Sequence, residues 1–165
     1  MYRYMISENE YAYEVYVNLI LSPAGHYLSR RPYIINLIKE ILSSQPLKGP
    51  RIVIERNMGR NIGTTDIVST AETDNIYYAR AVKSDIFSRF AKNKYPQPSE
   101  MLTVIFERDN DGNYEVINTW IGLNHPAFPG DSYETKESKK FWQTHALVHD
   151  AQNIQSKSIT KDWPY

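Results

Sequence analysis

There is no cysteine in this chain of 165 residues, which removes disulfide staples, thiolate zinc ligands and a cysteine nucleophile in one step. There is no net charge either, because 19 Lys and Arg offset 19 Asp and Glu. No apolar run approaches the roughly 20 residues of a membrane span, and the opening MYRYMISENEYAYE lacks the basic start and apolar stretch of a secretory signal. The expectation is a soluble, cytoplasmic protein without a membrane partner, with delivery by a route that needs no cleaved signal left open. Also missing are a Walker loop, a GxGxxG after a strand, a GxSxG elbow and a DxDxDG calcium loop. Nucleotide hydrolysis therefore has little to stand on, and no cofactor is expected.

What is present suits one compact domain: the length allows about two-thirds of the unfolded surface to be buried, and 41% hydrophobic with 23% charged residues is an ordinary globular balance. The outlier is tyrosine, with 13 residues. A flat ring with a polar tip serves cores, interfaces and base-stacking platforms alike, so the count decides nothing alone.

Along the chain, Tyr11 to Leu21 satisfies both the helical and the strand period and is read as a helix. Pro32 can occupy a first helical turn, and Tyr33, Ile34, Leu37, Ile38, Ile41 and Leu42 recur at helical spacing until SSQPLKGP stops them. RIVIE (51–55), TTDIVST (64–70) and NIYYARA (75–81) read as strands, whereas the prolines of YPQPSE are expected to break regular structure. Met101–Glu107 and Asn113–Gly122 form the clearest unit, a hairpin around Asp111-Gly112. A helix is predicted from about Lys136 to Asn153, with Phe141, His145, Val148 and Gln152 on one face. The expected fold class is α+β: N-terminal helices, a small four- to five-stranded antiparallel sheet and an additional C-terminal helix. As one domain over 1–165, it would have a core at about 32–131 and a helical cap at about 132–165.

The chemistry concentrates between Arg80 and Lys94, where Arg80, Lys83, Arg89, Lys92 and Lys94 face a single acid, with Tyr77, Tyr78, Phe87, Phe90 and Tyr95 interleaved or adjoining. Cations bind phosphates and flat rings stack on unpaired bases, the composition of a single-stranded RNA surface. The bland alternative is a solvated face. Arg89, between apolar neighbours, is placed to grip a phosphate from a fixed scaffold, its alternative being a salt bridge to a neighbouring strand. His125 lies between the last strand and two prolines, a reasonable acid or base. His26 reads as a surface residue. His145 and His149 are four apart and could share a metal, but a third ligand is missing, so no metal site is assigned.

The order of these pieces resembles the superfamily uniting barnase, EndoU, colicin-type tRNA nucleases and RelE, in particular its polymorphic-toxin and phage-associated members. The residues that carry the likeness are Arg89, Phe90 and Lys94, the Asp111-Gly112 hairpin, and Thr119, Ile121, Gly122, Pro126, Pro129, Gly130 and Asp131. Related toxin domains often place a histidine ahead of the Arg-Phe pair, where this chain has Lys83 and Ser84. The resemblance implies a metal-independent ribonuclease in which the ribose 2′-hydroxyl attacks its own phosphate. RNA, including transfer RNA, would be the substrate and a cognate inhibitor protein a partner. Arg89 and Lys94 would stabilise the phosphate, His125 would move the proton and Thr119 would donate a hydrogen bond. Arg80, Lys83, Phe90, Lys92 and Tyr95 would bind RNA. The competing class is a non-enzymatic module, such as an immunity or adaptor protein, which the balanced charge fits at least as well.

Overall fold

The computed structural model describes residues 2–8, 11–19 and 23–165, of which 4–8, 11–15 and 26 are described as backbone. These residues form eleven strands in three sheets, with only three α-helices and one 3-10 turn at Ser156–Ser158, so the fold is mostly β. This overturns the expected α+β arrangement of N-terminal helices before one small sheet. By internal contacts the chain divides into two compact units, Met1–Ile62 with Glu100–Leu123, and Gly63–Ser99 with Asn124–Tyr165. No helix among the described residues is long and apolar enough to cross a membrane.

The first unit opens with a hairpin, β1 (Tyr2–Glu8) and β2 (Tyr11–Asn18), where the sequence predicts a helix. The period-2 reading of YAYEVYVN wins because the ladder with β1 pairs the segment along its length, and β-branched and aromatic residues suit a pleated surface. Residues 20–21 of that predicted helix lie outside the described residues. A short helix α1 (Gly25–Ser29) leads to α2 (Pro32–Ser44), which starts on its proline as expected and buries Ile34, Leu37, Ile38, Ile41 and Leu42. The five-stranded sheet runs β1-β2-β10-β9-β3, with β3 at Arg51–Asn57, β9 at Met101–Arg108 and β10 at Tyr114–Ile121.

The β9–β10 hairpin forms as predicted, and Gly112 takes the positive φ of 85° that its turn requires. Leu102, Val104 and Phe106 alternate into the core, level with Ile54 and Val116. A bulge between Val116 and Asn118 inserts Ile117 and re-phases β10, so Thr119 and Ile121 pair with Val104 and Leu102 on that same face.

The second unit has a four-stranded sheet, β5-β11-β7-β6, and a two-stranded ladder of β4 (Gly63–Thr65) with β8 (Gln97–Ser99). TTDIVST is thus two strands, β4 and β5 (Ile67–Ser69), which part at Asp66 into different sheets. The YPQPSE segment does hold a strand, since Pro98 in a two-stranded ladder removes one donor without interrupting a central strand. β6 spans Ile76–Arg80 and β7 spans Phe87–Ala91. The predicted helix over 136–153 is cut to α3 (Ser138–Thr144), and His145–Val148 becomes β11, parallel to β7 and antiparallel to β5. Its expected helical face of Phe141, His145, Val148 and Gln152 therefore does not form. Sheet hydrogen bonds on both sides of HALV outweigh the helical spacing read from the sequence.

Candidate functional site

Strand alternation sorts the basic segment into two faces. In the antiparallel β6–β7 pair, Tyr78 lies opposite Arg89 and Arg80 opposite Phe87, so these four share one face, while Tyr77 and Phe90 occupy the other. Phe90 is buried, its ring stacked on Tyr77 at 5.1 Å, and it is a packing residue rather than an open platform.

Arg89 is only 8% exposed. One guanidinium nitrogen, Nη1, donates to Thr70 Oγ1 at 2.7 Å and to the His145 carbonyl at 3.0 Å, which ties β7 to the first residue of β11. No carboxylate of the described residues pairs with it, so the salt bridge considered from the sequence is absent. Its Nε is buried without a hydrogen-bond partner, and so is the Nε of half-buried Arg80, whose guanidinium lies 5.4 Å from the Phe87 ring. Buried polar groups are almost always paired, and a buried charge without a counter-charge costs several kcal/mol. Arg80 and Arg89 thus place two guanidinium groups on one sheet face, that of Arg89 buried and that of Arg80 half-buried.

The remaining basic residues are peripheral. Lys83 is exposed and is the one non-glycine among the described residues with a positive φ, 63°, in the turn after β6. Lys92 is exposed and Tyr95 is 77% exposed. Lys94 is 3.6 Å from Asp74. The Ala71 N–H, then the Asn93 amide, then Lys94 hold the Asp74 carboxyl below the usual carboxylate range. Thr119 belongs to the first unit and is buried there, its hydroxyl donating to the Thr103 carbonyl at 2.9 Å. The β10 bulge that turns it inward was not legible in the sequence.

Two histidines of the second unit hold Nδ1 against a backbone carbonyl. His125 Nδ1 lies 3.1 Å from the Pro126 carbonyl, which only accepts, so the proton sits on Nδ1 and Nε2 is the basic nitrogen. Trp142 Nε1 donates to the same carbonyl, also at 3.1 Å, and the Trp142 ring meets His125 edge-on at 5.6 Å. Burial pushes the His125 pKa down, against a smaller upward pull from the Pro126 carbonyl. His145 stacks on Phe141 at 4.0 Å, with Nδ1 near the Phe141 carbonyl. His149 Nδ1 and the Tyr77 hydroxyl share a hydrogen bond at 2.6 Å, and burial raises the Tyr77 pKa. Since His145 begins a strand, the helical spacing behind a shared metal for His145 and His149 is not realised.

A depressed histidine pKa has a defined stability signature. Between the folded value and the ordinary value near 6.5, the unfolded chain binds a proton that the folded chain refuses. His125 should therefore favour folding fully above about pH 6.5, and that contribution should be lost as the pH falls toward the folded pKa. Denaturant titrations of the parent and His125→Gln across this window should show a shallower pH slope in the variant; equal slopes would remove His125 as the cause.

The first unit has a cleft of about 320 Å³ lined by Tyr33, Asn36, Leu37, Glu40, Arg60, Asn61 and Ile62. Arg60 and Glu40 close on each other there at 2.6 Å, so its two charges are already matched. No family model, curated protein or solved structure matches this chain.

Proposed function

We propose that the second unit binds the phosphodiester backbone of RNA on the Arg80–Arg89 face and that the protein cleaves RNA without a metal. The observation that carries this reading is the pair of guanidinium groups on one face, each with a buried, unpartnered Nε and no acid beside it. A phosphate would supply a counter-charge and hydrogen-bond acceptors to such a pair. Cleavage would proceed by attack of the ribose 2′-oxygen on phosphorus and departure of the 5′-oxygen, leaving a cyclic phosphate. His125 Nε2 would take the 2′-hydroxyl proton and the same imidazole would return it to the leaving oxygen. The arginines would face the charge that grows on the phosphoryl oxygens.

A second reading, a binding module without turnover, is favoured by the burial of Thr119 and Phe90 and by the pairing of Lys94 with Asp74. One experiment separates the two. The full chain and His125→Asn are incubated with transfer RNA and total RNA in EDTA, and RNA binding is measured in parallel. Fragments ending in cyclic phosphate from the parent, and none from a variant that still binds, are the expected result. Binding with intact RNA would leave only the binding module, and neither binding nor fragments would overturn both forms of the RNA reading.

A further inference from the structure

From the aromatic residues around the arginines, we infer that the RNA is taken as a single strand, with an unpaired base stacked on Trp163. This inference rests on the RNA reading above and names the substrate class for that face.

The C-terminal segment lies along the edge of β6. Val82 N–H donates to the Asn153 carbonyl at 2.9 Å, Gln155 N–H to the Arg80 carbonyl at 2.8 Å, and Tyr78 and Thr160 exchange bonds of 2.7 and 2.9 Å. Arg80 N–H is also satisfied by Ser158 Oγ at 2.8 Å. This ladder delivers the aromatic end of the segment onto Tyr78, the residue opposite Arg89 and two before Arg80 on the same strand face. Trp163 meets Tyr78 at 5.5 Å and Tyr165 at 5.0 Å, both edge to face, and the Tyr165 hydroxyl donates to the Phe87 carbonyl.

The rings are therefore held by one another and by backbone, which lowers the entropy lost when a base packs on them. Trp163 remains 36% exposed. Alternate residues of a strand are about 7 Å apart, so a phosphate on Arg80 brings its nucleotide within reach of the rings around Tyr78. Stacking needs a base whose face is open, which a duplex does not offer.

The test uses a fluorescently labelled single-stranded oligonucleotide of RNA and a duplex of the same sequence, with the full chain, Trp163→Ala, Trp163→Phe and Arg80→Gln. The parent should prefer the single strand. Trp163→Ala should weaken single-strand binding about tenfold with little effect on the duplex, and Trp163→Phe should recover most of it. Equal or tighter single-strand binding by Trp163→Ala would overturn the stacking role and make the segment a cover over the face. If parental binding does not depend on Arg80, or neither RNA binds, the RNA reading itself fails, whatever Trp163 does. A melting curve for each variant confirms that the fold is kept.

Discussion

Arg89→Met should reduce RNA affinity about tenfold, the worth of one charge-assisted contact, while shifting folding stability by no more than about 2 kcal/mol, a dissociation unusual for a buried residue. Two opposing terms set the small stability change. Methionine removes the donor to Thr70 Oγ1 and the His145 carbonyl, and a buried acceptor left unsatisfied costs about 1–3 kcal/mol. It also removes a buried cation that has no acid beside it, which returns several kcal/mol of desolvation. On binding, only losses operate. The variant should also flatten the dependence of log affinity on log salt by about 0.7 for a single strand, the share of one phosphate contact. Denaturant unfolding and salt-dependent binding measured on the same preparation check both halves. Unchanged affinity together with a stability loss above about 3 kcal/mol would make Arg89 a purely structural tie between β7 and β11.

The largest stability effect is expected at Trp142, which is fully buried in a chain otherwise rich in half-exposed aromatics. Its ring stacks on Phe128 at 3.8 Å and meets Phe141 edge-on at 5.0 Å, while Nε1 holds the Pro126 carbonyl. Trp142→Ala should cost about 3–5 kcal/mol through the cavity and the lost hydrogen bond. The same change opens the wall against His125, so the imidazole pKa should rise back toward its ordinary value near 6.5. Chemical denaturation reads the first effect and a histidine titration by NMR the second. Should the alanine variant not fold, Trp142→Phe serves: it keeps a ring against Phe128 but leaves the Pro126 carbonyl without the indole donor, so a smaller pKa rise is expected. A His125 titration unchanged in Trp142→Phe, or in a folded Trp142→Ala, would show that the indole does not set it.

Legibility followed locality. Pro32 with the spacing of Ile34, Leu37, Ile38, Ile41 and Leu42 announced α2, and Asp111-Gly112 between alternating runs announced the β9–β10 hairpin, because each signal lies within a few residues of the structure it specifies. YAYEVYVN was ambiguous and HALV read as helix, and distant partners decided both: β1 for the first, β5 and β7 for the second. The candidate site divided the same way. The density of cations between Arg80 and Lys94 was visible in the sequence, but not which were open, since Phe90 and Arg89 differ in face by one residue of strand alternation.

By itself, then, the sequence determined the absence of thiol chemistry, the balanced charge, the long helix, the central hairpin and the basic segment, because composition and short-range spacing carry them. Tertiary structure alone decided that the protein is mostly β, that Thr119 turns inward at a bulge, and that Arg80, Arg89, Tyr78 and Trp163 gather around one sheet face. Those outcomes depend on hydrogen bonds between segments far apart in the chain, such as Tyr78 with Thr160, and no local propensity encodes the pairing of one strand with a distant one.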